Sequence, residues 1–375
     1  MILILLVSFA CALLATLAVI ASAHRHAHWS ADHDLSGPQK MHVHAVPRVG
    51  GVGIIAGLIG GMAAAICLHP DSRPQILAFA VCMLPAFASG LWEDFTKAIS
   101  PRRRMVALAL SGVLGVWLLN GAIVRTGWLP LDRLLLDNGL AWLGSVGAVF
   151  AVTGVSNSIN IIDGMNGLAS MCVALMATAL AYIAWQVQDV LVGSLALATL
   201  GATLGFFVWN FPRGSVFLGD GGAYVLGFIV AELGILLSAR HPEVSMLAPL
   251  LIVVYPFFET LFSMYRRRVL QNRSMTQPDG IHLHTLIYRR LRRNVSDANG
   301  LRRANSSTSP YLWLLAALGI VPAAIWWNSS PLLALALLAF VLAYLVVYWR
   351  IVRFRSPRWM QPRRRKAPSS RSSAP

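Results

Sequence analysis

Residues 217–238 read FLGDGGAYVLGFIVAELGILLS, an acidic, glycine-rich start followed by a long apolar run. Within residues 221–238 the one charged side chain is Glu232. A helix needs about 20 apolar residues to cross the hydrocarbon core of a membrane. This run is therefore predicted to be a membrane-spanning helix, with Asp220 at its beginning.

Further apolar runs, bounded by charge, proline or glycine, predict an all-α transmembrane bundle of about 11 spans. Besides 221–238, they cover roughly residues 1–23, 50–68, 76–92, 105–121, 139–159, 167–184, 190–209, 246–265, 310–328 and 332–349. The first run ends in Ala21-Ser22-Ala23, which is typical of a signal-peptidase site. No Lys or Arg precedes it, so a retained helix is favoured over a cleaved signal.

The composition is that of a membrane protein. Of the 375 residues, 57% are hydrophobic and 12% charged, whereas soluble domains carry about 25% charged residues. The net charge of +16 comes from basic residues between and after the apolar runs. This position indicates contact with anionic lipid and argues against nucleic-acid binding. The four cysteines form no CxxC pair and predict neither a disulfide framework nor a thiolate zinc site.

Basic residues fall very unequally on the two sides of the predicted membrane. With the N-terminus outside, the outer side holds only Arg73, Arg125, Arg133 and Arg240. The positive-inside rule therefore predicts an outer N-terminus and a cytoplasmic C-terminus. Residues 1–353 are expected to form the transmembrane domain, with its chemically active loops in the cytoplasm, and residues 354–375 a basic, disordered cytoplasmic tail.

Acidic and amide side chains cluster at three predicted inner span ends. Residues 90–97 contain Glu93 and Asp94, and Asp220 lies among glycines in residues 217–222. Residues 157–167 carry polar side chains every three positions, so they share one helix face. The alternatives to a functional site are a solvated helix end for residues 90–97, an interhelical hydrogen-bond seam for residues 157–167, and an N-cap for Asp220.

The long inner loop contains His282-Leu283-His284 among many arginines. A zinc site is disfavoured because no cysteine lies nearby, and imidazoles among arginines suit phosphate oxygens better. Carboxylates and amides on the same side suit Mg²⁺. Since two anionic reactants repel, a divalent metal in a positive pocket at the bilayer edge predicts phosphoryl transfer with a lipid as one reactant.

Six segments, in order, resemble the motifs of the polyprenyl-phosphate N-acetylhexosamine-1-phosphate transferases. They are residues 47–51 with Lys40 and His42 before them, Glu93-Asp94, residues 157–167, residues 217–222, residues 256–260, and His282-Leu283-His284. The resemblance implies a bacterial inner-membrane enzyme that uses Mg²⁺, with Mn²⁺ as a substitute. It would transfer HexNAc-1-phosphate from a UDP-HexNAc to undecaprenyl phosphate, releasing UMP and starting a surface polysaccharide such as O-antigen.

The same resemblance implies a role for each matching residue. Asp220 would be the main metal ligand, helped by Asn160. Glu93 and Asp94 would bind or deprotonate the acceptor phosphate, and Asp163, the third expected catalytic acid, would line the nucleotide-sugar site. The expected substrate-binding residues are Lys40, His42, Arg48, Asn157, Asn166, His282 and His284.

Four positions depart from the family pattern. Glu93 and Glu259 replace aspartates, and Asn166 replaces the more frequent acid. Thr285 replaces a histidine, whose contact could come from Arg289 or Arg290.

Several alternatives stay open. Glu232 fits no motif, so a functional role, pairing and protonation are all open for it. The rival functions are the phospho-MurNAc-pentapeptide transferase branch of the superfamily and a transporter, which would have its acids near the bilayer midplane. The expected partners are UDP-HexNAc, undecaprenyl phosphate and membrane lipid, without nucleic acid, and a homodimer is an open alternative for assembly.

Overall fold

The computed structural model describes residues 1–24, 46–127, 130, 132–133, 139–270, 281–293, 295 and 297–353. These residues form thirteen helices and no strand. The helices are α1 (Ile2–Ala21), α2 (Gly50–Leu68), α3 (Arg73–Thr96), α4 (Pro101–Leu119), α5 (Trp142–Ile162), α6 (Leu168–Gln186), α7 (Val190–Asn210), α8 (Gly219–Arg240), α9 (Leu247–Ile252), α10 (Val254–Tyr265), α11 (Leu283–Leu291), α12 (Ala298–Ile325) and α13 (Ser330–Val352).

Among the described residues, nine helices are long and apolar enough to cross a membrane: α1, α2, α3, α5, α6, α7, α8, α12 and α13. The prediction of an all-α, polytopic membrane protein is confirmed. Two predicted spans are helical but differ from the other nine. The α4 helix begins with three arginines, and the span predicted over residues 246–265 breaks into α9 and α10 at Val253. Pro256 lacks the N–H that would bond the carbonyl of Ile252, which accounts for the break.

Helix α8 forms the centre of the bundle. Every residue from Gly219 to Ser238 is buried, and α8 contacts α2, α3, α4, α5, α6 and α7. Small residues bring its neighbours close: a Cβ on Gly90 of α3 would lie 2.5 Å from the Cα of Gly221. The end of α3 is therefore held against the start of α8, and these are two of the segments that carry predicted site residues.

Helix α1 packs into the bundle against α2 and α7. The Ser8 hydroxyl lies 2.8 Å from the carbonyl oxygen of Gly57 and 2.6 Å from that of Ala198, in position to donate to both. Glycines at four-residue intervals in α2, Gly53, Gly57 and Gly61, let the backbones approach. Helix α1 is therefore packed as part of the bundle, and its retention stays a prediction. Orientation across the membrane stays a prediction, and the tail predicted for residues 354–375 lies outside the described residues.

Glu232 of α8 is 1% exposed, and among the described residues neither of its carboxylate oxygens has a hydrogen-bond partner. Burying an unpaired carboxylate is costly. We expect Glu232→Met to raise the thermal unfolding midpoint by about 2 °C or more. The predicted site residues should be unaffected, because Glu232 is about 18 Å along the helix axis from Asp220. A lower midpoint in detergent would show that Glu232 has a stabilising partner.

Candidate active site

A cavity of about 840 Å³ lies at the end of the bundle where α3, α5 and α10 end and α2, α4 and α8 begin. Nine of the residues predicted from the sequence line it: Arg48, Glu93, Asn157, Asn160, Asp163, Asn166, Asp220, His282 and His284. Lys40 and His42 lie outside the described residues. The cavity therefore brings together predicted residues from five separate segments of the chain.

Asp220, in the first turn of α8, is the most densely contacted acid of the cavity and is 6% exposed. Its Oδ1 accepts hydrogen bonds from Asn160 Nδ2 at 2.9 Å and from Arg48 Nη2 at 3.4 Å. Its Oδ2 accepts from Arg104 Nη1 at 2.9 Å. Two guanidinium groups and a helix N-terminus stabilise the negative charge here. The sequence motifs assign no role to Arg104.

Asp94 lies behind the cavity wall and is 2% exposed. Its two oxygens accept hydrogen bonds from the backbone N–H groups of Asp220, at 2.8 Å, and Gly221, at 2.9 Å. It therefore binds amides that α8 itself leaves unpaired at its N-terminus. Both oxygens are thus placed to hold Asp220 in position, and the expected action of Asp94 on an acceptor phosphate stays a prediction.

Glu93 is the member of the acidic pair that faces the cavity. Its Oε2 accepts a hydrogen bond from the backbone N–H of Ile99 at 2.8 Å, and its Oε1 lies 3.9 Å from Arg104 Nη1. Adjacent positions on a helix point in different directions, so one acid lines the cavity while the next is buried.

The end of α5 presents Asn157, Asn160 and Asp163 to the cavity, as the three-residue spacing predicts. Burial raises the pKa of the Asp163 carboxyl well above its ordinary value, although the Arg48 guanidinium opposes the shift. The negative charges of Asp220 and Asp94 raise this pKa further. A cation bound between these carboxylates would favour the ionised form of Asp163.

The loop after Asp163 is held by polar residues that sequence reasoning missed. The N–H of Asn166 donates to Asn305 Oδ1 at 2.9 Å, and the Ser309 hydroxyl of α12 donates to the carbonyl of Asn166 at 2.6 Å. Gly167 N–H donates to Asn210 Oδ1 at 2.7 Å. Within the described part of the chain, Asn166 Oδ1 has no hydrogen-bond partner, so this cavity-lining amide retains an acceptor for a ligand.

His282 and His284 flank the first residue of α11, and their rings stack at a centroid distance of 5.4 Å with 6° between the planes. A Cβ on Gly164 would lie 2.6 Å from Nε2 of His284, so the two loops meet closely. Neither Arg289 nor Arg290 lines the cavity, and Arg290 donates to the carbonyl of Ile351. Of the two alternatives for the missing histidine, a lost contact or a contact from one of these arginines, their location favours the lost contact.

The oxygen donors near Asp220 suit magnesium. No group of three or more His, Cys, Asp or Glu in the described ranges is arranged to hold a metal. However, Mg²⁺ in proteins commonly takes one or two carboxylates and completes its shell with substrate phosphates and water. Asp220, with the Asn160 amide against it and Asp163 in the same cavity, is a donor set of this kind.

Comparison with known proteins gives one family match and several similar relatives. Residues 76–238 match the family described as glycosyl transferase family 4. The chain is 27% identical over 259 residues to a probable undecaprenyl-phosphate N-acetylglucosaminyl 1-phosphate transferase of Bacillus subtilis, with 67% of this chain and 68% of the relative covered. It is 26% identical over 258 residues to the undecaprenyl-phosphate alpha-N-acetylglucosaminyl 1-phosphate transferase of Thermotoga maritima, with 69% and 73% covered.

A second group of relatives carries a different name. The chain is 31% identical over 208 residues to the phospho-N-acetylmuramoyl-pentapeptide-transferase of Lactococcus lactis, with 52% of this chain and 60% of the relative covered. All of these relatives are named as transferases of a phosphorylated sugar, which supports an enzyme. The family match runs from α3 to α8 and so includes Glu93, Asp163 and Asp220. Over residues 76–238 the chain is therefore similar to glycosyl transferase family 4.

Proposed function

We propose that this protein transfers HexNAc-1-phosphate from a UDP-N-acetylhexosamine to undecaprenyl phosphate, giving undecaprenyl-diphospho-HexNAc and UMP. A phosphate oxygen of the acceptor attacks the β-phosphorus of the donor. The bond between that phosphorus and the bridging oxygen breaks, and UMP leaves with the oxygen. The product starts a cell-surface polysaccharide at the cytoplasmic side of the inner membrane.

The observation that carries the proposal is the lining of the cavity. It includes acidic, amide, imidazole and guanidinium side chains. It also includes apolar side chains, those of Met105, Ile161, Phe257, Leu261 and Met264. A site with both kinds of side chain suits a charged diphosphate together with a lipid phosphate. The acids also lie at one end of the spans, which disfavours a transporter with a midplane site.

The side chains of the cavity have different roles in the reaction. Arg48, Arg104 and Arg267 supply positive charge for the phosphates, and a cationic guanidinium binds phosphate oxygens in a bidentate manner. Glu93 takes the proton from a singly protonated acceptor phosphate, which makes the attacking oxygen more nucleophilic. Asn166 offers its unpaired amide oxygen to the nucleotide, and Asn157 also lines the cavity.

Mg²⁺, for which Mn²⁺ could substitute, would be held by Asp220 and Asn160. When bound it neutralises charge on the diphosphate. Asp220 must then give up at least part of its contact with the two arginines, which frees Arg104 for an anionic reactant.

The proposal is tested with purified protein, Mg²⁺, undecaprenyl phosphate and a panel of UDP-sugars, assayed for UMP release. Release with UDP-GlcNAc or a related N-acetylated sugar is expected. If no UDP-HexNAc gives UMP while the protein is folded, the enzyme proposal fails.

A second candidate is phospho-MurNAc-pentapeptide transfer, because several relatives bear that name at 28–31% identity. The same assay separates the two, since UDP-MurNAc-pentapeptide would then release UMP and UDP-GlcNAc would not. The HxHT sequence at 282–285, in place of three consecutive histidines, favours the simpler HexNAc donor.

Glu93→Gln tests the assignment of the base. The amide keeps the size of the side chain but cannot accept a proton, so kcat should fall by about 10²-fold. The KM for the UDP-sugar should change by less than about threefold, because the acceptor is the substrate affected. Glu243→Gln, just beyond the other end of α8, is the matched control and should behave as wild type. Unchanged turnover in Glu93→Gln would show that Glu93 is not the base.

A further inference from the structure

A buried polar network behind the cavity connects α10, α11 and α13. At its centre is Glu259 of α10, which is 0% exposed. Its Oε1 lies 3.0 Å from Nδ1 of His282 and accepts a hydrogen bond from the Leu283 N–H at 3.2 Å. Its Oε2 accepts from the Tyr344 hydroxyl of α13 at 2.7 Å. Both oxygens of a carboxylate in the protein interior are thus satisfied, one of them by an imidazole.

The geometry determines which atom of His282 can meet a ligand. An ionised carboxylate only accepts hydrogen bonds, so Nδ1 must carry the hydrogen in the contact with Glu259. Any ligand that His282 binds in the cavity therefore meets Nε2. The ring also stacks on the parallel ring of His284. Its position and its tautomer are both set by the protein.

The last helix takes part through Tyr344. This residue is fully buried, and its ring packs edge-on against Phe258 of α10 at a centroid distance of 4.9 Å. This packing holds its hydroxyl against Glu259. A carboxylate that orients a histidine is often itself oriented by a further hydrogen bond.

We infer that Glu259, held by Tyr344, is a positioning residue that keeps His282 Nδ1–H inward and directs Nε2 toward the phosphate groups of the sugar-nucleotide donor. This inference rests on the proposed function for the identity of the ligand. A phosphate oxygen at Nε2 requires a doubly protonated ring, and the Glu259 carboxylate is the counter-ion that balances the charge. The network thus joins donor binding to α13, outside the segment that matches the family.

Kinetics on two variants and one control test the inference. Glu259→Gln should raise the KM for the UDP-sugar by about 10- to 100-fold. Tyr344→Phe removes only the hydroxyl and should raise it by about 3- to 10-fold. Tyr255→Phe is the matched control, because it also removes a buried tyrosine hydroxyl, this one in α10. No described residue is a hydrogen-bond partner of that hydroxyl, so KM and kcat should be unchanged. If KM is unchanged in folded Glu259→Gln and Tyr344→Phe, or if Tyr255→Phe raises KM as much as Tyr344→Phe, the inference is wrong.

A measurement that needs no turnover separates this inference from the proposed function. In protein labelled with ¹⁵N-histidine, the His282 signal, assigned by its loss in His282→Asn, should show a protonated Nδ1 without ligand. With UDP-GlcNAc and no acceptor, Nε2 should also become protonated in wild type but not in Glu259→Gln. An Nδ1 without a proton in the free wild-type protein overturns the positioning role. Absence of UMP release from every donor would defeat the proposed function and leave the Nδ1 result standing.

Discussion

Asp220→Asn is expected to reduce UMP release by about 10³-fold or more, which corresponds to roughly 4 kcal/mol of lost transition-state stabilisation. The substitution keeps the side-chain volume and removes the negative charge at the point where Arg48, Arg104 and Asn160 converge. An uncharged amide can neither hold a divalent metal well nor balance two guanidinium groups. The measurement is the initial rate of UMP release at saturating donor and acceptor.

Asp189→Asn is the matched control for this variant. Asp189 is also a buried aspartate at a helix start, where it caps α7 and pairs with Arg240 at 2.8 Å. Because Arg240 ends α8 and Asp220 begins it, the two acids lie at opposite ends of the bundle, about 30 Å apart. The control should retain turnover. If Asp220→Asn keeps more than about a tenth of the wild-type rate, Asp220 does not hold the essential metal.

Asp94→Asn is expected to affect both stability and activity. An asparagine offers one acceptor where two backbone N–H groups now bind, and its NH₂ group would face one of those donors. Leaving a buried amide unpaired at a helix start should lower the free energy of unfolding by about 2–3 kcal/mol and the thermal midpoint by about 5 °C or more. UMP release should fall as well, because Asp220 loses the group that positions its backbone.

Glu93→Gln is the comparison variant for this prediction, since Glu93 is the neighbouring acid and faces the cavity. It should lose turnover while keeping the wild-type midpoint. The two variants therefore distinguish a positioning acid from one that acts on a substrate. If Asp94→Asn has a normal thermal midpoint and no activity, Asp94 acts on the acceptor phosphate, as the family resemblance implies.

Much of the architecture could be predicted from the sequence, because lipid imposes a simple local rule. A run of about 20 apolar residues must be a helix that satisfies its own backbone hydrogen bonds. The predicted spans therefore agree with helices throughout the described chain. The exception is the stretch around Val253, where Pro256 accounts for the division of one predicted span into α9 and α10. The same rule identifies acids that are unusual because they lie beside apolar spans, where a carboxylate is costly. Asp163 and Asp220 are therefore recognised from the hydropathy pattern alone.

Sequence reasoning was weakest where burial depends on partners distant in the chain. The hydropathy pattern assigns Asn305 and Ser309 to the end of a basic loop and the approach to a span, yet they lie in one continuous helix and hold the Asn166 loop. Nothing local distinguishes a polar residue that faces water from one that faces another loop. In the sequence Tyr344 is one more aromatic residue in an apolar span, and its hydroxyl bond to Glu259 depends on how α13 packs on α10.

The amino-acid sequence by itself determined that this is a helical membrane protein. It also determined that most of its acids and amides, Glu232 excepted, lie near the ends of spans or in loops, because hydropathy and helical spacing are properties of neighbouring residues. Only the tertiary structure shows what each acid contacts: Glu93 faces the cavity, Asp94 binds the N-terminus of α8, and Glu259 binds His282. These contacts depend on how each helix is rotated about its axis. That rotation is set by close packing at small residues such as Gly90 and Gly227, between segments far apart in the chain.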